Sequence, residues 1–174
     1  MDGGLRMDYK VKNVKTFMGT EGHGFNASLY RDGKKVAFII DSAQGGCYDF
    51  QWTDWKEPKV NIINHKGKPY TFLGTPEEKI LYKLVEKLPK TKSEIFPDGM
   101  KETIDGFVAK IIDDFELKQK LKRACKKSYL FQIGKEIGGN EYRTIKKTSQ
   151  LTKETLISFI KKEYPNQKYK ILEA

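Results

Sequence analysis

Two glycine-rich segments flank a predicted β-hairpin and carry polar side chains that could bind a small ligand. They span residues 19–26 and 41–46. Backbone N–H groups in such turns can form a nest for an anion, although glycines can also serve turn geometry alone. We expect both segments at the same end of the sheet, where a nucleotide or other phosphorylated small molecule could be sequestered or hydrolysed. The candidate ligand-binding residues are His23, Asn26, Asp41, Gln44, Gly45 and Gly46.

A second set of candidate residues is basic and lies in the last third of the chain. Residues 1–75 carry 11 basic and 8 acidic side chains, residues 76–117 carry 7 and 10, and residues 118–174 carry 15 and 5. Concentrated positive charge attracts polyanions and gives salt-sensitive binding to nucleic acid; a solvated lysine-rich face is the alternative. The candidate nucleic-acid-binding residues are Lys118, Lys122, Arg123, Lys126, Lys127, Arg143, Lys146 and Lys147.

The spacing of these basic residues predicts a stripe on one helix. Lys118, Lys122 and Lys126 are four residues apart, so they share a helix face, with Arg123 and Lys127 beside it. Lysine acts as a point charge, whereas arginine offers a planar fork of donors. We therefore expect contacts to backbone phosphates without readout of bases.

Aromatic residues form a third pattern. On a strand, Tyr48, Phe50 and Trp52 fall on one face. Nucleic-acid bases can stack on such a row. Core packing explains the same row more simply, because the predicted helices need a sheet face to cover.

Familiar catalytic and metal-binding motifs are missing from the sequence. His23 and His65 have no partner at metal-ligand spacing, and Cys47 and Cys125 form no CxxC pair. There is no GxSxG elbow and no phosphate-binding loop that ends in GK followed by Ser or Thr. We therefore predict no catalytic residue, no metal and no cofactor, expect two reduced thiols, and favour a binding protein over an enzyme.

The elements that position these residues indicate a single α+β domain over residues 1–174. The segment 9–73 predicts an antiparallel sheet of hairpins, with a tight turn at Asp32-Gly33 and a weaker hairpin whose second strand starts at Pro69 after a turn at residues 65–68. The segment 75–127 predicts two helices, the first opened by a capping box at Thr75 and the second running from about Glu102 to Lys126. Residues 128–174 predict a hairpin and a closing helix capped by Thr152. Two or three helices are expected to pack on the sheet.

Composition fits a folded protein in the cytoplasm. The chain has 174 residues, 12% of them aromatic, whereas disordered chains are poor in aromatic residues. No stretch approaches the roughly 20 apolar residues that span a bilayer. The first 13 residues lack the apolar run of a signal peptide. We expect no membrane partner, and the sequence leaves the oligomeric state open.

Two stretches carry a resemblance to a known group. The first reads VKNVKTFMGTEGHGFNASLYRDGKKVAFIIDSAQGGCYDFQW, and the second reads LKRACKKSYLFQIGKE followed by EYRT. They resemble small accessory proteins of phage and mobile-element genomes, with the weakest match from Val60 to Asp98. The group has no known activity, catalytic residue or cofactor. The resemblance implies an accessory protein in the cytoplasm of a bacterial host, a setting in which such proteins often bind nucleic-acid machinery or inhibit defence systems.

Together these observations favour a non-catalytic protein that binds nucleic acid, or a host complex that handles nucleic acid, through its basic C-terminal third. An anti-defence inhibitor is one version of this hypothesis. The glycine-rich ligand site is the first alternative. A virion-associated or oligomeric structural protein is the second.

Overall fold

The computed structural model describes residues 8–64, 71–92 and 94–172. Its architecture is α+β, as predicted. The chain divides into two compact units, the first ending at Asp114 and the second beginning at Phe115. The elements in chain order are β1 (Tyr9–Gly19), β2 (Gly22–Arg31), β3 (Lys34–Asp41), β4 (Asp49–Trp52), β5 (Val60–Asn64), β6 (Thr71–Gly74), α1 (Pro76–Glu86), α2 (Ile104–Lys127), β7 (Ser128–Ile133), β8 (Arg143–Lys146), α3 (Lys153–Glu163) and β9 (Tyr169–Leu172).

The structure divides into two compact units, whereas the sequence predicts a single domain over residues 1–174. Its boundary falls inside α2, so the second unit begins with the last three turns of that helix. The single domain over residues 1–174 stays a prediction.

The first unit contains a four-stranded antiparallel sheet in the order β1-β2-β3-β4. The predicted tight turn joins β2 to β3, with φ of 49° at Asp32 and 84° at Gly33. Positive φ at both positions is what a two-residue hairpin turn requires. The register pairs Leu29 with Ala37 and Ala27 with Ile39. All four side chains are fully buried, so this part of the sheet forms a core face.

A partly buried ion pair links this sheet to α1. Arg31 donates from Nε and Nη2 to the two carboxylate oxygens of Glu77, at 3.0 and 2.8 Å. Helix α1 starts as predicted: Thr75 Oγ1 accepts from the N–H of Glu78, and the Glu78 carboxylate accepts from the N–H of Thr75, both at 3.2 Å. This capping box fixes where Glu78 lies.

The weaker hairpin is also present, as β5 paired with β6. Its predicted turn at residues 65–68, including His65, and the predicted strand start at Pro69 lie outside the described residues. Helix α2 begins at Ile104, two residues later than the sequence predicted. Thr103 precedes it and accepts a hydrogen bond at Oγ1 from the N–H of Gly106, at 3.0 Å.

The second unit is a three-stranded antiparallel sheet in the order β8-β7-β9, with α3 packed on one face. Thr152 caps α3 as predicted, because its hydroxyl accepts from the N–H of Thr155 at 3.2 Å. Leu156 and Ile160 of α3 are fully buried in a cluster with Phe131 and Ile133 of β7. The chain passes from β8 through α3 to β9 and so crosses over the central strand β7.

Strand β9 was not predicted. It has only four residues, Tyr169–Leu172, and pairs with β7 so that Ile171 lies opposite Phe131. A run this short carries little periodic signal, and its strand character comes from pairing with a distant segment.

Candidate functional site

The end of α2 presents a row of basic side chains to solvent. Lys118, Lys122, Arg123, Lys126 and Lys127 are all exposed, and we call these five residues the basic helix face. The other side of the same turns is less exposed, and Cys125 retains only 4% of its accessible surface. Helical periodicity therefore separates a packed side from a charged side, as the sequence predicted.

The side chains of the basic helix face form no ion pair with the described residues. Among residues 8–64, 71–92 and 94–172, none of the five forms an ion pair or a side-chain hydrogen bond. Lys126 and Lys127 lie in the last turn, where the helix dipole favours positive charge. Their positions are therefore compatible with a stable helix even without a bound partner.

Lys146 lies close to the end of this helix, whereas the side chain of Lys147 contacts other residues of the second unit. Lys146 pairs with Ser128, the residue that follows α2, and its side chain is exposed. Lys147 donates from Nζ to the carbonyl oxygen of Cys125 at 2.6 Å. Its ammonium also lies 4.9 Å from the centre of the Tyr129 ring. Lys147 thus satisfies a carbonyl in the last turn of α2.

Arg143, the remaining candidate residue, is also engaged within the second unit. Its Nε and Nη2 donate to the carboxylate of Glu136 at distances from 2.7 to 3.1 Å. Its Nη1 donates to the hydroxyl of Tyr164 at 2.6 Å. The hydrogen bonds from Arg143 hold the pKa of Glu136 below its usual value, with help from the N–H of Ile133. Arg143 is therefore not a free fork for a phosphate, which leaves Arg123 as the available fork in the predicted set.

The structure brings the two glycine-rich segments together at one end of the four-stranded sheet, as the sequence predicted. The N–H of Glu21 donates to the carbonyl oxygen of Ala43 at 2.9 Å, so the loops meet at one end of the sheet. His23 and Asn26 are three residues apart on β2, which places them on opposite faces of the strand. Asp41 accepts at Oδ1 from the N–H of Ala43, at 2.9 Å. Within the described ranges, no hydrogen bond links His23, Asn26 or Gln44 to Asp41.

Geometry explains the glycines of the second loop without a ligand. The φ angles are 76° at Gly45 and 99° at Gly46, values that other residues rarely adopt. A Cβ atom on Gly45 would lie 2.5 Å from Oε2 of Glu21, so a carboxylate fills the space beside this glycine. A negative charge there disfavours a phosphorylated ligand. Binding of such a ligand at His23, Asn26, Asp41, Gln44, Gly45 and Gly46 stays a prediction.

The predicted aromatic row faces the helices, as its core-packing interpretation expects. Trp52 retains 8% of its accessible surface, and its ring stacks on that of Phe50 with centroids 5.4 Å apart. Phe50 and Tyr48 are half-buried, because a cavity opens beside them. Tyr82, Glu78 and Asp105 also line this cavity. These three residues lie 26 or more positions from the row in the sequence, so no local pattern connects them with it.

The remaining chemistry of the described residues is sparse. Cys47 is exposed and Cys125 is buried, and both are free thiols. No group of three His, Cys, Asp or Glu side chains in the described part of the chain could hold a metal ion. The helices in that part are also not long and apolar enough to cross a membrane.

Comparisons with known proteins add no relative. No protein family matches the chain, and neither a curated protein nor a solved structure matches it.

Proposed function

We propose that the protein is a non-catalytic binder of nucleic acid, or of a host complex that handles nucleic acid, and that the basic helix face contacts phosphate groups. One observation carries the proposal. Five exposed cations share the solvent side of one helix, and none of them forms an ion pair with a described residue. Lys146 extends the same positive region at the end of the helix.

The spacing of the charges suits a polyanion. Lys118, Lys122 and Lys126 follow one another at four-residue steps, which rise about 6 Å each along the helix axis. Double-stranded DNA carries one charge per roughly 1.7 Å of its axis. A helix that lies along a nucleic acid can thus place three lysines near several phosphates. Release of the counterions would then supply the binding free energy.

This contact would not depend on the base sequence of the nucleic acid. Four of the five residues on the basic helix face are lysines, which reach phosphates as point charges. Arg123 is the exception. The sixth cation, Lys146, is also a lysine. We therefore expect similar affinities for nucleic acids of different sequence but equal length.

The resemblance to accessory proteins of phage and mobile elements supports a setting in the cytoplasm of a bacterial host. In that setting, a positively charged surface can cover nucleic acid and so compete with a host effector for it, which is one way in which an anti-defence inhibitor can act. A virion-associated or oligomeric structural role remains the other proposal, and proteomic analysis of purified particles would test it.

The test reverses charge on the helix and compares it with the same change elsewhere. The variant K122E/R123E/K126E should bind labelled single- and double-stranded DNA and RNA at least about tenfold more weakly than the wild type, because opposed charges replace attractive ones. The control K15E/K34E/K90E makes the same change in net charge at exposed lysines of the first unit that have no described partner. Equal losses in both variants would show a response to net charge alone and would contradict the proposal.

A further inference from the structure

A small cavity in the first unit combines aromatic walls with negative charge. It lies between β4, α1 and the start of α2, and has a volume of about 270 Å³. Its walls include four aromatic and two acidic side chains, and none of its lining residues is basic: Tyr48, Phe50, Trp52, Tyr82, Glu78 and Asp105. None of the residues that line this cavity belongs to the basic helix face.

The aromatic walls come from β4, from the residue before it and from α1. Phe50 and Trp52 project from the same face of β4, and their stacked rings are inclined by 11°. The Tyr48 ring stands edge-on to Phe25 with centroids 5.0 Å apart, which fixes its position before the strand. Tyr82 is contributed by α1. The π faces of such side chains carry partial negative charge.

Both carboxylates are anchored through one oxygen and keep the other unbound. Asp105 Oδ2 accepts from the N–H of Tyr48 at 3.2 Å. Glu78 Oε2 accepts from the N–H of Thr75 in the capping box. In the described parts of the chain, Glu78 Oε1 and Asp105 Oδ1 have no hydrogen-bond or ion-pair partner. Each carboxylate can therefore accept a further donor or face a cation.

Other ligand classes fit this cavity less well. Two carboxylates repel phosphates and other anions. A metal ion usually needs three or more protein ligands, and no such group exists among the described residues. A neutral apolar ligand would itself supply no counter-charge to the two carboxylates. Pockets that bind drug-sized ligands typically have volumes of about 300–1,000 Å³. This cavity is smaller, so it suits a compact group.

We propose that this cavity binds the methylated ammonium group of an organic cation, with the rings of Tyr48, Phe50 and Tyr82 around the cation and the carboxylates of Glu78 and Asp105 opposite its charge. Aromatic cages with nearby carboxylates are the recurring chemical solution for such groups, because the cation is attracted by the ring faces and is too large for a close ion pair. Choline and a methylated lysine side chain present the same head group.

The wild-type protein supplies the first test through a pair of ligands that differ only in charge. Choline and its neutral isostere 3,3-dimethylbutan-1-ol have the same shape. Titration followed by two-dimensional NMR should show saturable shifts at Tyr48 and Tyr82 with choline, and at least about tenfold weaker binding of the isostere. Equal binding of the two ligands would overturn the proposal, because the site would then recognise shape rather than charge.

Variants of the lining residues test whether choline binds in this cavity. F50L keeps apolar volume but removes a ring face, and D105N removes the charge while keeping an oxygen that can accept from the N–H of Tyr48. Each should weaken choline binding at least about fivefold, a difference of the size that one cation–π or ion contact produces. The control F38L makes the same change on β3, at a half-buried position paired with Gln51, and should bind as the wild type does. Unchanged binding in both F50L and D105N would overturn the assignment.

A final comparison distinguishes the two sources of the head group. A short peptide with trimethyllysine is titrated beside choline, with the unmodified lysine peptide as its control. Tighter binding of the trimethylated peptide than of choline would identify a protein side chain as the ligand. Tighter binding of choline would identify a free small molecule. Absence of binding by both would refute the proposal.

Discussion

Lys147 donates a hydrogen bond from Nζ to the carbonyl oxygen of Cys125, 2.6 Å away. The two residues are 22 positions apart, and the bond joins the segment after β8 to the last turn of α2. The N–H of Lys147 also donates to the carbonyl oxygen of Lys127 at 3.0 Å. Lys147 therefore supports the end of the helix that carries the basic helix face, whereas the lysines of that face have no internal partner among the described residues.

This relationship predicts different consequences for two lysine-to-methionine variants. K147M should lower the free energy of unfolding by about 1 kcal/mol, because it removes a hydrogen bond from a charged donor. K122M should change it by no more than about 0.5 kcal/mol, as is usual for exposed positions. Urea denaturation measures both values. Greater destabilisation by K122M than by K147M would show that the hydrogen bond does not stabilise the helix end.

Substitution of Gln132, whose side-chain amide is buried, should lower the free energy of unfolding more than most substitutions in the second unit. Only 1% of its surface is accessible. Its Nε2 donates to the carbonyl oxygens of Gly139 and Glu141 at 2.9 and 3.0 Å, and its Oε1 accepts from the N–H of Gly138 at 3.2 Å. Q132L has a similar volume but cannot form these bonds. We expect a loss of about 2–3 kcal/mol, since backbone groups would be left without partners.

Thermal and urea unfolding of Q132L would give this loss directly. T144V is the control, because Thr144 lies on β8 and is exposed, and it should remain within about 0.5 kcal/mol of the wild type. A Q132L protein as stable as the wild type would mean that water replaces the amide at no cost.

The ion pair of Glu136 with Arg143 predicts a specific dependence of stability on pH. Hydrogen bonds from Arg143, followed by one from the N–H of Ile133, lower the pKa of Glu136 from its ordinary value of 4.5. The folded protein then binds fewer protons at this site than the unfolded chain does. The stabilising contribution is complete above pH 4.5 and is lost as the pH falls through the lowered folded-state pKa.

The free energy of unfolding, measured from pH 7 to pH 3, checks this dependence. E136Q should be less stable than the wild type near neutral pH, and the difference should shrink on acidification. E141Q changes an exposed glutamate with no described ion pair and should follow the wild-type curve. A difference between E136Q and the wild type that grows on acidification would contradict the sign of the shift.

Substitution of a glycine in the segment 41–46 should lower the stability of the fold for a reason unrelated to ligand binding. G45A should cost about 1–2 kcal/mol, because φ is positive at this position and a Cβ would meet the carboxylate of Glu21. Q44A, at the neighbouring exposed position, should be neutral. Nucleotide-induced thermal shifts are therefore better tested in Q44A and H23A than in glycine variants. A stable G45A protein would mean that the loop can rearrange.

Local patterns in the sequence predict most of the elements. The hairpin at Asp32-Gly33 and the caps at Thr75 and Thr152 are encoded by a few adjacent residues, and all three are present as expected. Strand β9 was missed because its conformation depends on pairing with β7, which lies 36 or more residues earlier in the chain. Propensity over four residues cannot reveal such a partner.

The candidate sites show the same distinction between local and distant information. The exposed stripe on α2 follows from helical periodicity, so sequence alone predicts it. The engagement of Arg143 by Glu136 and Tyr164, and of Lys147 by Cys125, depends on the packing of separate elements. A count of charges treats Arg143 and Lys147 as equivalent to Lys122. In the structure, the first two side chains form hydrogen bonds, whereas Lys122 forms none with the described residues. The cavity around Phe50 and Tyr82 likewise becomes visible only after β4 and α1 are brought together.

The most direct test of the proposed function is the salt dependence of binding to labelled single- and double-stranded nucleic acid. For the wild type we expect affinity to fall steeply with salt, with a slope set by the number of phosphates that are neutralised. The neutral variant K122Q/R123Q/K126Q should reduce that slope by about 2–3 units, because each lost phosphate contact removes roughly 0.7–0.9. The variant K15Q/K34Q/K90Q should leave the slope nearly unchanged. Binding that is absent near physiological salt, or a slope that the helix variant does not alter, would contradict the account.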